Sequence, residues 1–265
     1  MKAASIGDLL REWRARRHLS QMALAMEADI SQRHLSCIES GKAAPSREMV
    51  LRLAGRLDVP LRERNAMLVA AGFAPLYAER PLHDPAMAPA LRAVEAVLQG
   101  HEPWPALAVD RHWQLLAANR VLPMLLAGAE PGLLAPSVNV LRLSLHPQGL
   151  APRILNLAQW RAHLLERLRL QILATGDAVL VELLKELQDY PGPAPLADEA
   201  DTGAWGGIAV PLRLATPVGP LSLLSTTTVF GTPRDVTLAE LALEAFYPAD
   251  EATAERLRRL AAEST

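Results

Sequence analysis

Along the first 75 residues the apolar positions recur at helical spacing. Ile6, Leu9, Leu10 and Trp13 predict an amphipathic helix over residues 6–16. Ser20 is a good N-cap, and Leu24 and Ala25 carry a short second helix to about Ala28. Asp29-Ile30 makes a tight turn, and Ser31 caps a third helix that runs through Ser40 with Leu35 and Ile38 inward. Gly41 closes it as a left-handed residue. Ser46 caps a fourth helix carrying Met49, Leu53 and Leu57. Pro60 begins a fifth with Leu61, Met67 and Leu68, ended by Gly72.

Later the pattern becomes mixed. Residues 85–100 predict a helix with Leu91, Val94 and Leu98 inward. Trp104–Asp110 and Trp113–Ala118 are short apolar runs about Asp110-Arg111-His112, the mark of a hairpin. A leucine-rich helical region follows, with helices at 156–174 and, capped by Asp177, at 177–189. Gly207–Leu214 and Leu221–Phe230 read as strands around a Thr216–Pro220 turn, with Gly206-Gly207 a kink at strand entry. Leu241–Tyr247 fits a strand or a helix, and a final helix is predicted over 250–262. The fold class is therefore α+β and multidomain. A five-helix all-α bundle precedes an antiparallel sheet with helices.

Prolines divide the chain. Residues 1–44 and 153–190 hold none, while Pro75, Pro81, Pro85 and Pro89 cluster between them. We place one domain at 1–75, a linker with the start of the next helix at 76–90, and a second domain at 91–265. Pro191, Pro193 and Pro195, with Asp198, Glu199 and Asp201, predict a mobile loop near 190–205.

Charge changes the picture only when it is split. The whole chain carries −2, which alone argues against a nucleic-acid binder. Residues 1–80 hold 13 Lys+Arg against 9 Asp+Glu, and residues 81–265 hold 14 against 20. A basic, Arg-dominated N-terminal domain thus precedes an acidic C-terminal one. Half the residues are hydrophobic and only 4% aromatic, so the core is built from Leu, Ala and Val. Cys37 is the single cysteine, which excludes an internal disulfide and suits a reducing cytoplasm. The N-terminus runs straight into charged residues, and no apolar run approaches the roughly 18 residues that cross a bilayer. A cytoplasmic protein without membrane contact is expected.

The first domain carries a specific pattern: Ser20-Gln21-x-x-Leu24-Ala25, Ile30-Ser31, then Leu35-Ser36-x-Ile38-Glu39-x-Gly41. It resembles the phage-repressor and Xre-type helix-turn-helix, departing at Asp29, where that family usually has Gly. The resemblance implies binding to double-stranded operator DNA, with the third helix entering the major groove. Gln32 and Arg33 are placed to reach base edges, Gln toward adenine and Arg toward guanine. Ser31 and Ser36 complete that face. Gln21 matches the family residue that contacts a phosphate, and Arg16, Arg17, Lys42 and Arg47 can add backbone contacts. Glu39 reads as structural, and Arg11, Arg14, Arg52 and Arg56 as solvated surface.

The second domain resembles a PAS opening at Pro105-Ala-Leu-Ala-Val-Asp110-x-x-Trp113-x-Leu-Leu-Ala-Ala-Asn119. Asn139-Val-Leu-Arg142-Leu-x-Leu-His146-Pro147-x-Gly149-Leu, Ser225-Thr226, Phe230-Gly231-Thr232-Pro233-x-Asp235 and Pro248-Ala-Asp250 are similar to the MmyB-like bacterial regulators. That family implies a PAS-like ligand-binding domain, with a fatty-acid-like ligand for some members. Arg142 and His146, with Asn119, Asn156 and Thr226, are the candidate polar ligand contacts. Asn156-Leu157 departs from the family's Asn-Trp. The alternative is a C-terminal domain that only dimerises, its leucines simply packed. A homodimer is expected in either case, because one helix-turn-helix reads few base pairs. No cofactor and no enzyme activity are expected. The seven histidines show no metal-ligand spacing, and no nucleophile-elbow, phosphate-loop or dinucleotide motif is present. Asp110, His112 and Ser222 have nothing in the sequence to bring them together.

Overall fold

The computed structural model describes residues 4–135, 137–192 and 209–262. The expected loop around Asp198, Glu199 and Asp201, and the Gly206-Gly207 kink, lie outside the described residues. The chain forms two compact units, which are not two continuous halves. Residues 173–175 and 232–239 group with residues 1–80, and the remainder forms the second unit.

The first unit contains α1 (Ile6–Arg16), α2 (Gln21–Glu27), α3 (Gln32–Glu39), α4 (Arg47–Arg56) and α5 (Leu61–Ala70). Serines start four of them. Ser5, Ser20, Ser31 and Ser46 accept from the backbone N–H of Asp8, Ala23, His34 and Met49. Each such cap contributes about 1 kcal/mol. The ends follow one rule as well. The residue after each C-cap is left-handed: His18, Asp29, Gly41, Asp58 and Gly72, with φ of 54°, 54°, 73°, 46° and 85°. Asp29 therefore adopts the conformation its turn requires, at the steric cost a side chain carries there.

The bundle core is Leu10, Trp13, Leu24, Leu35, Ile38, Val50, Leu53, Leu57, Met67 and Leu68. Each fully buried leucine contributes roughly 1.5–3 kcal/mol. Val50, not the expected Met49, fills the inward position of α4. Gly7 lets α1 approach α3 closely, since a Cβ there would stand 2.4 Å from the Glu39 carbonyl oxygen. Within the same unit, Arg80 pairs with Asp235 at 3.0 Å, and the Val236 N–H donates to the Ala78 carbonyl.

The second unit opens with α6 (Ala88–Gly100), β1 (Ala106–Val109), β2 (Leu115–Ala118), α7 (Leu122–Leu126), α8 (Val140–Leu145), α9 (Leu157–Thr175) and α10 (Ala178–Asp189). Then come β3 (Leu212–Leu214) and β4 (Leu221–Val229). Past the short α11 (Val236–Ala239) of the first unit, β5 (Ala242–Pro248) and α12 (Glu251–Ala262) end the fold. The five strands make one antiparallel sheet in the order β2-β1-β5-β4-β3. This is the sheet-with-helices expected of a PAS-like domain. The ambiguous segment 241–247 is a strand, and it lies at the centre, paired with both β1 and β4. Of the strand expected over 207–214, residues 207 and 208 lie outside the described residues, 209–211 are not in a strand, and β3 is Leu212–Leu214.

Alternation along the strands gives the sheet two apolar faces. Ala106, Ala108 and Leu243 pack with Val94 and Leu98 of α6. Leu107, Val109, Leu214, Leu221 and Leu223 point the other way, into a larger core with Leu141, Leu143, Trp160, Leu164, Leu168, Leu180 and Leu183. Local signals set the joints. Asp110 Oδ1 accepts from the N–H groups of His112 and Gln114, both at 2.8 Å, which folds the hairpin. Gly176, at φ 68°, stops α9, and Asp177 then caps α10.

Candidate functional site

In the first unit α3 presents a polar face over an apolar one. Gln32, Arg33, His34 and Ser36 are exposed, while Leu35, Ile38 and Glu39 are buried beneath them. The Ser31 hydroxyl is committed to capping α3 through the His34 N–H at 3.1 Å. Lys42 is exposed just past the helix. Arg47 opens α4 with its Nε buried and without a hydrogen-bond partner. Arg16 pairs at 2.6 Å with Glu12, a surface contact worth at most about 1 kcal/mol and readily exchanged for a phosphate.

Two residues expected at DNA are engaged inside the bundle. The Arg17 guanidinium donates to the carbonyls of Leu57 and Asp58 at 2.8 and 2.9 Å, tying α1 to the end of α4. The Gln21 side-chain amide donates to Glu39 at 2.8 Å. Arg14, expected as solvated surface, instead grips Glu39 with Nε at 2.8 Å and a second nitrogen at 3.0 Å. Its side chain is 18% exposed and that of Glu39 only 2%. Burial pushes the Glu39 carboxyl up, but the bonds from Arg14 and Gln21 outweigh it and hold the group below its ordinary value. One carboxylate thus joins α1, α2 and α3 and fixes the angle at which the exposed face of α3 is presented.

The second unit holds a partly open cavity of about 90 Å³ between the sheet and α7–α9. That is several times the ~10–15 Å³ a water needs, and the wall is mostly apolar. Leucines make most of it, among them Leu107, Leu122, Leu143, Leu164 and Leu223, and Trp113 and Trp160 also line it. Trp160 donates its indole N–H to Ser144 at 3.0 Å. Arg167 and Glu244 also reach the wall.

None of the five expected polar contacts lines this cavity. Arg142 binds Glu186 of α10 through three hydrogen bonds of 2.8–3.0 Å. Tyr190 donates to the same carboxylate at 2.6 Å, and its ring stands edge-on to His146 at 5.1 Å. Arg142 and His146 therefore belong to a polar latch between α8 and α10. Asn119, 4% exposed, accepts from the Ala106 N–H and donates to the Trp104 carbonyl, pinning the start of β1. Asn156 donates to the Pro211 carbonyl and accepts from the Arg213 N–H, pinning β3. Thr226 is exposed. Asn119 and Asn156 thus satisfy backbone groups, and Arg142 and His146 engage side chains of α10 and its C-cap.

Sequence reasoning missed Arg167 and Glu244. A faint signal exists for the first: 160, 164 and 167 share one face of a helix, so Arg167 stands with Trp160 and Leu164. Glu244 gave its own hint, an acid inside the apolar strand Ala-Leu-Glu-Ala-Phe.

A family model described as the MmyB-like transcription regulator ligand binding domain matches residues 90–260. The chain belongs to the MmyB-like transcription regulators. A second model, for a helix-turn-helix domain, matches residues 5–67 of this regulator. No curated protein matches it. A solved structure described as an RNA-binding light-oxygen-voltage receptor matches at 13% identity, covering 99% of the regulator and 64% of that chain. Its TM-score is 0.26, below what a shared fold requires. The regulator thus joins a DNA-binding domain to a small-molecule-binding domain, and both are binding families rather than enzyme families. Among the described residues no helix is long and apolar enough to cross a membrane.

Proposed function

We propose that this is a cytoplasmic, homodimeric, Xre-type regulator whose operator affinity changes when an elongated apolar molecule, fatty-acid-like in its hydrocarbon body, occupies the cavity of the second unit. The observation that carries this reading is a leucine-walled cavity in the same chain as a helix-turn-helix. Gln32 and Arg33 meet base edges, Ser36 lies one turn on, and Arg16, Lys42 and Arg47 neutralise phosphates. Arg17 and Gln21, which also tie the bundle together, lie with them as phosphate contacts. Two copies set the recognition helices on half-sites about one helical turn apart.

The test is operator binding by full-length protein before and after solvent extraction, with mass spectrometry of the extract. Extraction should change operator affinity, and returning the extracted compound should restore it. Equal affinity in both states, with nothing apolar extracted, would leave the second unit as a dimerisation module. Arg33→Ala should cost about 1–3 kcal/mol on the specific site and leave non-specific binding nearly unchanged. Equal loss on every sequence would make Arg33 a phosphate contact.

A further inference from the structure

Resting on the reading that the cavity takes an apolar ligand, we propose that the ligand's polar end is uncharged, a hydroxyl or amide rather than a carboxylate. The argument starts from the charged groups of the wall, which are Arg167 from α9 and Glu244 from β5. They neutralise each other. One guanidinium nitrogen of Arg167 donates to Glu244 Oε2 at 3.0 Å, and the other donates to Oε1. That second nitrogen also reaches the Thr227 hydroxyl at 2.6 Å, and Thr227 donates to Glu244 at 2.9 Å. The Trp113 ring lies against the guanidinium at 4.6 Å. The Glu244 side chain is 5% exposed, so water does little to screen its charge.

A ligand carboxylate brought to Arg167 would stand beside Glu244. Two anions would then share one cation, itself 26% exposed, beside a buried carboxylate, which disfavours the second negative charge. Among the described residues no other cation lines the cavity. His163, one turn before Arg167, is held toward its neutral form by burial and by Arg167 itself. An uncharged head escapes this repulsion. A hydroxyl or amide can donate to Glu244 Oε2, which takes a single bond from Arg167, and the Ser225 hydroxyl on the same wall offers a second partner.

The test uses full-length protein stripped of extractable lipid, titrated with octanol, octanamide and octanoate at about pH 8, where the acid is ionised. Tryptophan fluorescence reports occupancy, because Trp113 and Trp160 line the cavity. Octanol and octanamide should bind about tenfold or more tighter than octanoate. Glu244→Gln removes the counter-charge of Arg167 and should reverse that order. If this variant fails to fold, the wild-type ranking alone decides. Octanoate binding as tightly as the neutral pair, or more tightly, overturns the proposal and leaves the apolar-ligand reading intact. Binding of none of the three overturns both.

Discussion

Replacing Arg14 by Ala should unlock the recognition helix in a way that depends on pH. The substitution removes two charge-assisted hydrogen bonds from Glu39, at 2.8 and 3.0 Å, and a third donor that reaches the Leu19 carbonyl at 3.0 Å. The carboxylate, 2% exposed in the wild type, keeps only Gln21 as a side-chain donor. Stranding one partner of a buried pair costs about 3–5 kcal/mol. The remaining Gln21 bond keeps the loss near the lower end, about 3 kcal/mol at neutral pH. The loss then shrinks on acidification. In wild type the Glu39 carboxyl titrates below its ordinary 4.5, so its contribution is present above that pH and is lost as pH falls through the lower folded value. In Arg14→Ala the largest influence left is burial, which raises the folded value above 4.5. Protonation then relieves the strain, and the gap between variant and wild type narrows as pH falls from about 7 toward 4.5. Amide exchange of α1 and α3 in the full chain, corrected for intrinsic rates, measures that gap at each pH. A gap of constant size, or one that widens on acidification, would refute the reasoning.

Three further outcomes follow from other positions. Asp29→Gly relieves a side chain from φ 54° and should stabilise the bundle by about 0.5 kcal/mol, read by urea unfolding. Gly7→Ala places a methyl 2.4 Å from the Glu39 carbonyl oxygen, so α1 must shift from α3. It should cost about 1–3 kcal/mol and lower operator affinity, seen in paired melting and DNA-binding curves. Leu164→Phe adds volume to the cavity wall and should raise the melting temperature of stripped protein while abolishing uptake of octanol. A lowered melting temperature would mean that the space is not free for a ring.

The helical bundle was legible because its punctuation is local. Ser20, Ser31 and Ser46 announce helix starts within three residues of the groups they cap, and Gly41 and Gly72 announce ends. Even Asp29 gave its conformation away by standing where a glycine belongs. The hairpin at Asp110 and the Gly176-Asp177 joint were readable for the same reason. What escaped depends on distant partners. Arg142 and Glu186 are 44 positions apart, and Arg167 and Glu244 are 77 apart, with no local pattern to join them. Four-residue α11 is too short to show a period. The cavity was allowed by the composition but could not be located, because a leucine facing a void looks in sequence like one facing another leucine.

The void also bears on how much regulator a cell keeps. At roughly 24 cal/mol per Å³, 90 Å³ of empty apolar space lowers stability by about 2 kcal/mol. A molecule that fills it at a hundred times its Kd returns about 2.7 kcal/mol to the folded state. Changes of that size alter steady-state protein levels several-fold, because quality-control proteases act on the unfolded fraction. Supply of the cavity's occupant would thus set the lifetime of the protein as well as its grip on an operator.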